Sequence, residues 1–165
     1  MATIERSTVS SGLTYEALVE AFERELGHWD PATAENLVKR HAPWSEVEQE
    51  AVKAGRERGL MIIQTINQGA VTSLSGHVKK CRLYLVGNPA IATHILDIDP
   101  AACFYVPFRV CLYDDGGPGG ASLTYDRPSS FLAALGRPEL DRFGVLLDGK
   151  IDDLATVFGE VVTLA

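Results

Sequence analysis

Arg109 is the side chain on which chemistry could most readily be built. It stands in Pro107-Phe108-Arg109-Val110-Cys111-Leu112-Tyr113. In a strand, alternation puts Phe108, Val110 and Leu112 on one side and Arg109, Cys111 and Tyr113 on the other. A guanidinium so placed can grip a carboxylate or phosphate through two parallel hydrogen bonds, which a lysine cannot copy. The same period groups Arg82, Tyr84 and Val86 against Leu83 and Leu85. It also sets Ser122, Thr124 and Asp126 against Leu123 and Tyr125. The pattern predicts one aliphatic sheet face for helices to cover. The other face is mixed, with Arg109, Tyr113, Arg82 and Tyr84 as candidate ligand-binding residues. Such a face is solvated, pairs with a second subunit or lines a ligand site. The structural alternative for Arg109 is an ion pair with Asp126 or Asp97.

Asn88-Pro89 is the second candidate. Asn88 can cap a helix whose first residue is Pro89, so that first-turn N–H groups face the end of the sheet and could meet an anion. Other constellations lead to plainer readings. Cys111 has no histidine near it in sequence to act as base, and reads as a buried, inert thiol. His94, Asp97 and Asp99 are close in sequence, but His94 lies off the apolar stripe of its helix and the trio makes no ligand set. His28, His41 and His77 lie in or beside loops without repeated spacing and read as surface residues. Gly116 to Gly120 leads from strand to strand, whereas a phosphate loop opens a helix, so this run is a hairpin connection.

The elements that must position these groups follow from caps and periodicity. Thr14 caps a helix with Tyr15, Leu18, Val19, Phe22 and Leu26 inward, and Gly27 stops it. Asp30-Pro31 opens a short second helix. Ser45-x-x-Glu48 reads as a capping box for a third, ending at Gly59. Leu60–Ile66, Arg82–Val86, Phe108–Tyr113 and Ala121–Tyr125 read as strands, with a poorly alternating first strand in Thr3–Ser10. A last amphipathic helix is expected over Ile151–Val162. Strand, helices, strands, helix, hairpin and helices in that order give a single-domain α+β fold: a mainly antiparallel sheet with helices on one face.

At 165 residues and 46% apolar content, one domain can bury enough surface to fold without metal or disulfide. The three cysteines form no C-x-x-C pair, so no structural zinc site is expected, and no cofactor is implied. Free thiols fit the reducing cytoplasm. A formal net charge of −7 argues against nucleic acid or an anionic membrane as partner. Met1–Gly12 holds no export segment, and apolar runs such as Leu60–Ile63 are too short to span a bilayer. Open sheets leave edges to cover, and a homodimer is the expected way to cover them.

Three segments together resemble a known bacterial family. Leu85-Val86-Gly87-Asn88-Pro89 is similar to the Gly-Asn-Pro element of the domain-of-unknown-function family 302. Pro107 to Asp115 resembles its Pro-x-Arg strand with an acidic exit, and Tyr125-Asp126-Arg127-Pro128 its Tyr-x-x-Pro element. The resemblance implies a small α+β layer with a curved antiparallel sheet, of the TATA-binding-protein-like class, and no particular activity. Against that pattern, residues 28–59 read as a helical insertion and 137–165 as a C-terminal helical extension. Asn67 stands where the family often has a histidine. The leading functional expectation is a non-catalytic binding module for a small anionic or amphipathic ligand. The alternatives are a small enzyme using Arg109 with Tyr113 or Tyr125, and a structural homodimer without small ligand.

Overall fold

The computed structural model describes residues 3–165. In chain order the elements are β1 (Arg6–Ser10), α1 (Tyr15–Glu25), β2 (Gly27–His28), α2 (Pro31–Lys39), α3 (Trp44–Gly55), β3 (Met61–Ile66), α4 (Gln68–Thr72), β4 (Lys80–Gly87), α5 (Pro89–Ile98), β5 (Phe108–Asp114), β6 (Ser122–Asp126), α6 (Pro128–Ala133), α7 (Asp141–Ala155) and β7 (Val162–Leu164). The strands form one open sheet in the order β2-β3-β4-β5-β6-β1-β7. Among the described residues only β2 and β3 run parallel. The fold is α+β in a single domain.

Local chemistry accounts for most helix starts. The Thr14 hydroxyl accepts from the Ala17 N–H, and the Asp30 carboxylate from the Ala32 N–H. Three expectations fail. The Ser45–Glu48 capping box does not form, because α3 already begins at Trp44 with Pro43 in the cap position. Proline's fixed φ suits that entry, and Ser45 falls inside the first turn. The helix then stops at Gly55, not Gly59. The expected 151–162 helix instead runs from Asp141 to Ala155. Gly159, at φ 155°, brings the chain so close to β1 that a Cβ there would sit 2.9 Å from the Ser10 carbonyl. Residues 162–164 then pair with β1 as β7.

Helices α1, α5, α6 and α7 cover one face of the sheet. Leu18, Phe22, Ile95, Leu132, Ile151 and Leu154 meet Val110, Leu112 and Leu123 in a continuous core. Each such fully buried side chain contributes about 1.5–3 kcal/mol. The register corrects the face assignment of β4. Arg82 lies opposite Leu112, Tyr84 opposite Val110 and Val86 opposite Phe108. Residues directly opposite share a face, so Arg82 and Tyr84 stand on the helix-covered side. Arg109 and Tyr113 share the open face with Leu85, Leu83 and Cys81. Alternation tells which residues of a strand go together, not which way the set points. Here Tyr84 is the core residue, fully buried with its ring centroid 4.7 Å from that of Phe22.

Candidate functional site

The five candidate residues fall into three places. Arg109 is exposed on the open face near the start of β5. It borders a recess of about 230 Å³ shared with Leu85, Tyr105, Phe108, Asp126 and Phe131. The Tyr105 and Phe131 rings stack with centroids 5.2 Å apart and planes 12° from parallel. Phe104, 80% exposed, meets Tyr105 edge-on at 5.0 Å. The recess thus pairs a cation with an aromatic wall. Neither of the alternative ion pairs, with Asp126 or Asp97, forms. Asp126 is held by Arg6, with Nε to Oδ1 at 2.8 Å, and among the described residues no carboxylate pairs with Arg109. Tyr113 lies on the same face but four residues on, about 13 Å along the strand. It does not line the recess.

Arg82 and Tyr84 form a second group, on the covered face. The Arg82 guanidinium donates to Glu23 at 2.9 Å, and the Tyr84 hydroxyl donates to the same carboxylate oxygen at 2.8 Å. Burial above all, then the Glu23 carboxylate, pushes the Tyr84 phenol well above the ordinary tyrosine range. This cluster ties α1 to the sheet and does not meet Arg109.

Asn88 is the third. Its Oδ1 accepts from the Ala90 N–H at 2.9 Å, and its Nδ2 donates to the Gly59 carbonyl at 3.0 Å. The side chain therefore caps α5 as expected and also pins the turn before β3. Both ends of the amide are engaged within the fold. Beside it opens a recess of about 150 Å³ walled by Trp29, Val86, Ile91, Ile95, Val106 and Phe108.

A further polar network joins α6 and α7 to the sheet. Arg127 donates to Asp148 at 3.1 Å and to Asp152 at 3.0 and 3.1 Å. The buried Asp148 also accepts from the Ser129 N–H and hydroxyl, and the Tyr125 hydroxyl donates to Asp152 at 2.5 Å. Burial, then Asp152, pushes the Tyr125 phenol up. Tyr125 lies opposite Val110, on the covered face, so it and Arg109 do not converge. The sequence signal for this network is the i, i+4 spacing of Asp148 and Asp152, which puts both carboxylates on one face of α7. Asn67, at the position of the family's frequent histidine, caps α4 by accepting from the Ala70 N–H.

The cysteines are free thiols, and burial raises the pKa of Cys111, with a smaller push from Cys81. Among the described residues no three His, Cys, Asp or Glu side chains gather as a metal site would need. No helix among them is long and apolar enough to cross a membrane.

A single open sheet of seven strands with helices packed on it defines the class: an α+β domain. The sequence pattern described as "Domain of unknown function DUF302" matches residues 36–156, and the chain belongs to that family. Its structure is similar to one described as an uncharacterized conserved protein DUF302 from Bacillus stearothermophilus. That likeness has a TM-score of 0.63 at 12% identity and covers 95% of this chain and 99% of that one. At that identity it speaks for the fold alone. No curated protein matches the chain.

Proposed function

We propose that the protein is a binding module for a small amphipathic anion, with the Arg109 recess as its site. The observation that carries this reading is an exposed guanidinium that, among the described residues, no carboxylate pairs with, beside the stacked Tyr105–Phe131 wall; the recess's own carboxylate, Asp126, is held by Arg6. A carboxylate or phosphate would take the guanidinium, and an attached ring or short chain would lie on the aromatic wall. A hydrogen bond to a charged partner of this kind is worth about 1.5–3 kcal/mol. The non-catalytic reading is supported by the cast of the recess. Its thiol, Cys103, has no histidine in the wall to take its proton. Calorimetric titration with benzoate and phenyl phosphate tests the proposal. Both are expected to bind the wild type, and Arg109→Gln is expected to abolish binding. Undiminished binding in that variant would overturn the assignment.

A homodimer belongs to the same proposal. Its support is the uncovered rim of the sheet, where Val162 and Leu164 of β7 are 53% and 70% exposed. Sedimentation at micromolar concentration is expected to give about twice the chain mass of 17.9 kDa, and a clean monomer would end the idea. Free thiols support a reducing compartment such as the cytoplasm.

A further inference from the structure

The geometry points to a second, separate ligand site: the recess at the start of α5, which takes a small uncharged apolar molecule. Its volume of about 150 Å³ is that of an apolar cavity able to hold a benzene-sized guest. Val86 and Ile95 are fully buried where they line it, so it reaches the core. Trp29 and Ile63 line it too and are partly exposed, so it has a mouth.

The chemistry of the wall selects the ligand. Its polar side-chain groups are the Asn88 amide and the Trp29 indole N–H, and neither is charged. The Asn88 amide is used up at both ends, on the Ala90 N–H and the Gly59 carbonyl. No side chain of the wall carries a charge, so an ion would enter unpaired, and for a hydroxyl the wall's side chains offer no more than the Trp29 indole N–H. An uncharged, apolar molecule is what remains.

Two features of β3 shape the recess. A bulge shifts the β3–β4 register between Ile62 and Gln64, leaving Ile63 as the extra residue. Bulges re-aim side chains, and this one supplies Ile63 to the wall. The Trp29 N–H donates to the Ile62 carbonyl at 2.9 Å, which holds the indole-bearing residue at the sheet edge beside that bulge. The Arg109 recess shares only Pro107 and Phe108 with this wall, and Arg109 lies on the opposite face.

The test uses the chain's two tryptophans. Trp44→Phe leaves Trp29 as the sole indole, placed in the wall. Benzene is expected to shift Trp29 emission saturably and to raise the melting temperature. Benzoate, its charged counterpart, is expected to leave Trp29 emission unchanged. Ala92→Phe, which fills the recess, is expected to weaken benzene binding by about tenfold or more. Should that variant fail to fold, Ile95→Ala serves instead. It enlarges the recess and is expected to bind butylbenzene more tightly than wild type does. Arg109→Gln is expected to keep the benzene response intact, so loss of the anion site and loss of this one are distinguishable. Absence of a saturable Trp29 response to benzene, or an equal response to benzoate, overturns the proposal.

Discussion

The two faces of the sheet carry arginines in opposite conditions. Arg82, on the covered face, is bound to Glu23 beside Tyr84. Arg109, one strand away on the open face, has no carboxylate partner among the described residues. Under the helices, a cation without a counter-charge would cost several kcal/mol, so the fold supplies one. Where water solvates the guanidinium, the fold is free to leave it unpaired. The difference teaches that an arginine left free to meet a ligand is marked by what does not touch it, more than by its type or its strand.

That contrast can be broken most forcefully on the covered side. Arg127→Ala strands the buried Asp148, whose other partners are the Ser129 N–H and hydroxyl. It is expected to cost about 3 kcal/mol in denaturant melts; a cost under about 1 kcal/mol would mean that solvent already shields the network. Alkaline pH attacks the same side. Tyr84 and Tyr125 keep their protons in the folded protein above the ordinary value of 10.0. The unfolded chain loses them there, so it binds fewer protons and stability falls as pH rises. The contribution is whole below pH 10 and is lost as pH climbs through the folded-state values. The slope is about 1.4 kcal/mol per pH unit for each tyrosine. Phenolate absorbance is expected to show both rings ionising only together with unfolding, and early, independent ionisation would contradict their burial.

Smaller effects sharpen the comparison. Asn88→Ala removes a cap and the tie to Gly59, and is expected to cost about 1 kcal/mol. Denaturant melts that superimpose on wild type would show that neither bond holds. Arg109→Gln is expected to change stability by less than about 0.5 kcal/mol, since the side chain is exposed and unpaired. A larger loss would place Arg109 with Arg82 among structural arginines.

What the sequence made legible was local. Thr14, Asp30 and Asn88 are caps because each bonds an amide two or three residues on, and such bonds need no distant partner. The outward turn of Arg109 was legible because Phe108, Val110 and Leu112 leave it no other side. The orientation of β4 was not. Leu83 and Leu85 look like the buried set, but Tyr84 takes the covered side, where its ring packs on Phe22 and Glu23, 61 residues earlier, receives its hydroxyl. The aromatic wall was equally hidden, since Tyr105 and Phe131 meet only after the sheet and α6 assemble. The end of α7 was misread because the chain is drawn away to β1 at Gly159, a constraint no helical periodicity records.

The place of β1, between β6 and β7, sets a timetable for synthesis. Thr8 and Thr124, whose hydroxyls bond at 2.9 Å, stand 116 residues apart. At 5–20 residues per second, β1 therefore waits roughly 6–23 s on the ribosome for its first partner. Its second arrives later still, when the Thr163 hydroxyl meets that of Ser7 at 2.7 Å. Throughout that interval the β3–β4–β5 meander can pair while the N-terminal strand, which pairs with β6 and β7, stays loose, open to chaperones and proteases. A chain cut before residue 162 would leave that edge of β1 unpaired, so the N-terminal strand is completed only by a segment more than 150 residues away.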